Sequence, residues 1–161
     1  MAITVPAVGE TATAAWADSV ANQLNTPTLI NTISTATTAT STGTTEALNS
    51  GLLLAVTGIV SGQNYWVEFS GSLSSSVAGD IDLVSVHALQ GTVLVGSPIV
   101  ATARTYLPGV TGIEGSTRNL WTPGASGAWN LQVGVKRAAG TGNASYGPGV
   151  TLNARLSLVL A

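Results

Sequence analysis

Two long alternating runs flank a glycine-rich connection in the closing segment, SGAWNLQVGVKRAAGTGNASYGPGVTLNARLSLVLA, and they leave little choice of architecture. In the first, Trp129, Leu131, Val133 and Val135 alternate with Asn130, Gln132, Gly134 and Lys136. In the second, Val150, Leu152, Ala154, Leu156, Leu158 and Leu160 alternate with Thr151, Asn153, Arg155, Ser157 and Val159. Strand side chains point to opposite faces with period two, so each run has one dry face and one wet face. No helix-period stripe passes through either. At about 3.3 Å per residue the second run spans roughly 36 Å, long for a strand. So much aliphatic surface on one side requires a second sheet to cover it, which predicts a sandwich.

The rest of the chain supplies the partners. From Gly51 onward, Leu52–Val56, Ile59–Val60, Tyr65–Ser70, Ile81–Leu89, Thr92–Val95, Ile99–Tyr106 and a weak run at Asn119–Trp121 are separated by Gly, Ser or Pro turns. That spacing predicts an all-β, antiparallel, jelly-roll-like β-sandwich of about eight strands over residues 51–161. Residues 1–50 read as an N-terminal arm. Within it, Ala12, Trp16, Val20 and Leu24 fall four apart, with Ala17 and Ala21 widening the stripe, which predicts a helix over Thr11–Leu24. Thr11 or Thr13 serves as N-cap, and Asn25-Thr26-Pro27 as the stop. At about 14 residues the helix is marginal alone in water, so its Trp16 face must dock on its own domain or on a neighbouring subunit. The Thr-rich stretch that follows, NTISTATTATSTGTTEALNS, reads as a linker or an edge strand leading into the domain.

Charge sets the next constraint. Five Lys plus Arg and seven Asp plus Glu make 7% of the 161 residues, with a net charge of −2, against roughly 25% charged in an ordinary domain. A 16.1 kDa monomer exposes about 7,400 Å² by the usual scaling, so the charges average roughly one per 600 Å². Such a surface is expected to be partly covered by other chains. With no basic cluster, nucleic acid is not an expected partner. There is no cysteine, hence neither disulfide nor thiolate metal site. The opening MAITVPAVGETATAAW lacks a basic n-region and an apolar h-region, and no apolar run approaches the ~20 residues that span a bilayer, so a soluble protein without membrane contact is expected.

Catalytic constellations are not evident. His87 is the sole histidine; it shares a strand face with Ser85 and reads as a satisfied structural residue. A Ser-His-Asp set assembled from His87, Asp80 or Asp82 and the many serines has no nucleophile elbow to support it. Asp80 and Asp82 lack the remaining oxygen ligands of a calcium loop and read as loop-polarising residues. Gly140, Gly142, Gly147 and Gly149 follow no phosphate-binding order and are turn residues. No cofactor, metal or enzymatic activity is expected. Most of the aromatics belong to the core, but Trp66 and Trp121 are candidates for a sugar-stacking platform.

The opening VGETATAAWADSVANQLN, the Thr-rich spacer, and a β domain carrying YWVEFSGSLSSSVAGDIDL and WTPGASGAWNLQVGVKRAAGTG resemble small virion proteins of tailed bacteriophages, of the head decoration, head fibre or minor tail type. The resemblance covers nearly the full length. It implies a homotrimer of jelly-roll domains whose arms fix it to the major capsid protein or another virion component, with Trp16, Val20 and Leu24 as the anchor face. The expected function is therefore capsid decoration, on the capsid surface rather than the tail. The alternative is a tail or fibre adhesin that binds host-surface carbohydrate through Trp66 or Trp121.

Overall fold

The computed structural model describes residues 28–150 and 153–161. The predicted helix over 11–24, and with it Trp16, Val20 and Leu24, lies outside the described residues. Ten strands form two antiparallel sheets: β1 (Thr28–Thr35), β2 (Ala39–Ser41), β3 (Ala47–Ile59), β4 (Tyr65–Ser75), β5 (Asp80–Leu89), β6 (Ile99–Leu107), β7 (Ile113–Trp121), β8 (Gly127–Ala139), β9 (Ala144–Gly147) and β10 (Ala154–Leu160). There is no helix among the described residues.

One sheet has the order β3-β8-β5-β6. The other is built around β4, which pairs with β7 along one side and, along the other, with β10 and then β9. β1 extends this sheet beyond β10, and β2 extends it beyond β9. The two closing runs thus lie in different sheets, and each turns its aliphatic face to the shared core: Leu131, Val133 and Val135 from β8, Ala154, Leu156 and Leu158 from β10. Leu52, Leu54 and Val56 of β3, Val67 and Phe69 of β4 and Val84 and Val86 of β5 complete it. Each such Val, Leu or Phe side chain stabilises the fold by about 1.5–3 kcal/mol through burial.

The sandwich begins earlier than residue 51. Thr28–Thr35 is an edge strand on β10, and the expected boundary falls inside β3. The second closing run is shorter than its alternation suggested. β10 starts at Ala154, and Val150, 98% exposed, stands in the loop before it. Pro148 has no N–H to give a ladder, and the Val150 N–H donates to Glu114 Oε1 at 2.6 Å instead. Thr92–Val95 is a loop rather than a strand: Gly91 and Gly96 both take positive φ, and Leu94 and Ser97 close a turn on one another. In the opposite direction, the weak run near Trp121 is the end of a nine-residue strand, β7.

At the flank where β6 and β7 face each other, the sandwich is not fully closed. Register places Ile113, Gly115 and Thr117 of β7 on the same side as Leu73, Gly71 and Phe69 of β4, yet Ile113 is 38% exposed and Gly115 is exposed. A hollow of about 140 Å³ reaches through this seam to Phe69, Leu73, Val84 and Tyr146.

Candidate functional site

The solvent face of the β4 sheet carries an ordered set of side chains. Reading across β10, β4 and β7, the register gives the rows Val159–Trp66–Leu120, Ser157–Glu68–Arg118 and Arg155–Ser70–Ser116, with Ser72 and Glu114 opposite each other beyond them. The first row is apolar, the second charged. At the third row the side chains of β4 and β7 shrink to the hydroxymethyl groups of Ser70 and Ser116, and the surface dips. Two hollows of about 410 and 270 Å³ lie there, sharing Ser70 and Ser116 as floor. Glu68, Arg118 and Arg155 bound the first; Glu114, Gly149 and Asn153 bound the second.

Trp66 is half-buried in this face, with the Arg118 guanidinium carbon 4.4 Å from its ring centroid. Arg118 Nε also meets Glu68 Oε1 at 3.1 Å, so one cation both stacks and pairs. Both partners are substantially exposed, and the pair positions groups more than it stabilises the fold. Arg155 donates through Nε to Ser157 Oγ at 2.9 Å. Trp121 does not join this platform. It is 8% exposed and sits at the end of the core, 5.2 Å from Trp129 in an edge contact and 6.0 Å from Tyr65. Its position opposite Tyr65, an inward residue of β4, turns it away from solvent.

His87 and Ser85 do share a face, but their acidic partner is Glu46 rather than Asp80 or Asp82. Glu46 Oε2 lies 2.8 Å from His87 Nε2, and Ser85 Oγ contacts both Nε2, at 3.2 Å, and Glu46 Oε1. His87 Nδ1 donates to the Ser97 carbonyl at 2.7 Å. In a catalytic triad the hydroxyl and the acid occupy opposite ring nitrogens. Here both crowd onto Nε2, and Ser85 is fully buried. The cluster ties the β2–β3 and β5–β6 connections down onto the sheet. Gly134 permits it, since a Cβ there would stand 2.7 Å from Glu46 Oε1.

Asp80 and Asp82 point the other way, into the end of the sandwich. Asp80 accepts from Ser75 Oγ at 2.6 Å and from the Gly142 and Thr141 amides at 2.7 and 3.0 Å. The Ser75 bond and these amides hold its carboxyl below the usual range, against the effect of burial. Gly140, with φ +107, brings the β8–β9 turn onto this carboxylate. Asp82 is fully buried and neither carboxylate oxygen has a partner. Burial first, and then the neighbouring Asp80 charge, push its carboxyl up to about 6, with Arg137 acting in the opposite sense. Among the described residues no three His, Cys, Asp or Glu side chains gather as a metal site.

The signals that would have located Glu46 and Arg118 are not local. Glu46 reaches His87 from 41 positions away in the chain, and Arg118 reaches Trp66 only through the β4–β7 register.

The sequence matches no protein-family model and no curated protein. Among solved structures, the VP2 subviral particle of infectious bursal disease virus is similar at 12% identity and TM-score 0.42, over 84% of this chain and 33% of that one. The Cry8Ea1 delta-endotoxin of Bacillus thuringiensis is similar at 17% identity and TM-score 0.40, over 76% and 19%. A carbohydrate-binding module of Cellvibrio mixtus lichenase 5A, solved with cellotriose, is similar at 17% identity and TM-score 0.39, over 83% and 98%. The chain thus spans about a fifth to a third of the toxin and the capsid protein. What these likenesses share with the present chain is a β-sandwich domain, and at such identities they carry no argument about its work.

Proposed function

We propose that the protein is a non-catalytic structural component of a tailed-bacteriophage virion: a homotrimer of jelly-roll domains that decorates and stabilises the assembled capsid. The observation that carries this reading is the open β6–β7 seam. Inward-directed positions of β7 remain exposed there, Ile113 at 38% and Gly115 with it, beside Ala103 and Thr105 of β6. In a chain with so few charges, a sister copy is the partner that closes such a seam, because an apolar flank repeated by symmetry can cover itself. The resemblance of the opening and Gly-rich segments to decoration and head-fibre proteins supports the virion setting. Stabilisation follows from binding the assembled shell and not its free subunits.

Light scattering on the purified chain is expected to give a single trimer mass. Ile113→Glu, which places a charge in the seam at an already exposed position, is expected to yield a folded monomer. A wild-type monomer at micromolar concentration overturns the trimer. Sedimentation with assembled capsids but not with free capsid subunits tests the decoration role, and equal binding to both, or to neither, removes it.

A further inference from the structure

We infer that the depression along β4 and β7 on the solvent face of the six-stranded sheet is a binding groove for an uncharged, hydroxyl-rich chain, a neutral oligosaccharide. This inference stands apart from the capsid reading, since it concerns the outer face of β7 and not the seam. From Arg118 to Glu114 along β7 the groove runs about 13 Å at roughly 3.3 Å per residue, long enough for two or three linked sugar rings. Its polar groups are Ser70 and Ser116 below, Glu68, Arg118 and Arg155 at one end and Glu114 and Asn153 at the other, set among the apolar surface of Phe69 and of Gly71, Gly115 and Gly149.

Three features select the ligand class. First, the charges cancel. Two carboxylates and two guanidinium groups line the depression, so neither a polyanion nor a polycation gains from it, whereas vicinal hydroxyls can donate to the acids and accept from the bases. Second, hydrogen-bonding capacity is left over. Among the described residues the Ser70 and Ser116 hydroxyls have no partner, and Arg155, which lines the hollow, donates only through Nε. Third, the register row next to Glu68 and Arg118 is apolar, with Leu120 50% exposed beside the Trp66 ring that Arg118 covers, and it offers a surface to the C–H face of a sugar.

The test is calorimetry or NMR titration of the full chain with neutral oligosaccharides (fragments of glucan, galactan, xylan and mannan) and with uronate-containing ones. Binding by at least one neutral chain is expected. Arg155→Ala and Trp66→Ala should each weaken it about tenfold or more, the loss that follows from removing a charged hydrogen-bond donor or an apolar platform. Ser116→Trp, at an exposed position on an edge strand, fills the floor without touching the core and should abolish binding while the thermal midpoint stays near wild type. No binding of any neutral chain at millimolar concentration overturns the inference. So does binding confined to uronates, or binding that Ser116→Trp leaves intact. Trimer mass is measured separately, so loss of the groove and loss of the assembly reading are distinguishable.

Discussion

At the scale of single residues, Asp82 is buried and neither of its carboxylate oxygens has a partner. A carboxylate with no hydrogen-bond partner in a buried site favours its neutral form, and its folded-state value of about 6 lies above the ordinary carboxylate value of 3.8. Between those values the native state holds a proton that the unfolded chain has released. Stability from this group is therefore greatest below about pH 4, falls as pH rises to about 6, and is flat above that. The fall amounts to at most about 3 kcal/mol at roughly 1.36 kcal/mol per unit. Asp80 acts in the opposite sense. Its lowered value contributes stability above the ordinary carboxylate value of 3.8 that is lost as pH falls further. Asp82→Asn is expected to remove most of the decline between pH 4 and pH 6 and to raise the denaturation midpoint at neutral pH. A wild-type protein whose urea midpoint is unchanged across that interval would show that Asp82 is solvated or paired. The orphaned state of this residue was not legible in the sequence. Alternation places Asp82 on the Val84 and Val86 face of its strand, but only the packing of the opposite sheet removes its water.

At the scale of elements, strands with dense aliphatic alternation were legible and strands without it were not. β8 and the Leu156–Leu160 part of β10 follow from period two because one face of each is buried by the opposite sheet. β7, with the sequence IEGSTRNLW, has almost no such pattern, since it lies at the sheet edge and its ladder is supplied by β4. β9 and β2 are short strands that pair with each other inside Gly-rich and Thr-rich stretches, where composition resembles loop. The outer polar layer follows the same logic. β8 leaves a gap at Gly134, and the connection before β3 fills it with Glu46. Gly134 does not adopt positive φ, so Gly134→Ala tests the contact and not the backbone conformation. The added methyl should displace Glu46 from His87 and Ser85, leaving buried polar groups unpartnered at about 1–3 kcal/mol. The urea midpoint should fall, and the His87 ring resonances should shift in the same variant. Unchanged values for both would mean that Glu46 adds nothing to the fold.

At the scale of the whole molecule, the forces available for assembly follow from what the surface lacks. Twelve charges on 161 residues cannot build an extensive ion-pair interface. One exposed pair, Glu68 with Arg118, lies on the outer sheet face and not in the seam. The seam itself presents Ile113 beside small residues such as Gly115, Ala103 and Thr105. Contacts of that kind depend on the removal of apolar area from water, which added salt does not screen, whereas exposed charge pairs lose their reach as the Debye length shrinks to about 3 Å at 1 M. The proposed trimer should therefore sediment with the same mass in low salt and in molar sodium chloride. Its thermal midpoint should rise with protein concentration, because unfolding is coupled to dissociation. Ile113→Glu should remove the concentration dependence together with the trimer. Dissociation of the wild type at high salt would place the interface on the Arg118 and Arg155 face instead, where it would cover the groove and compete with any ligand bound there.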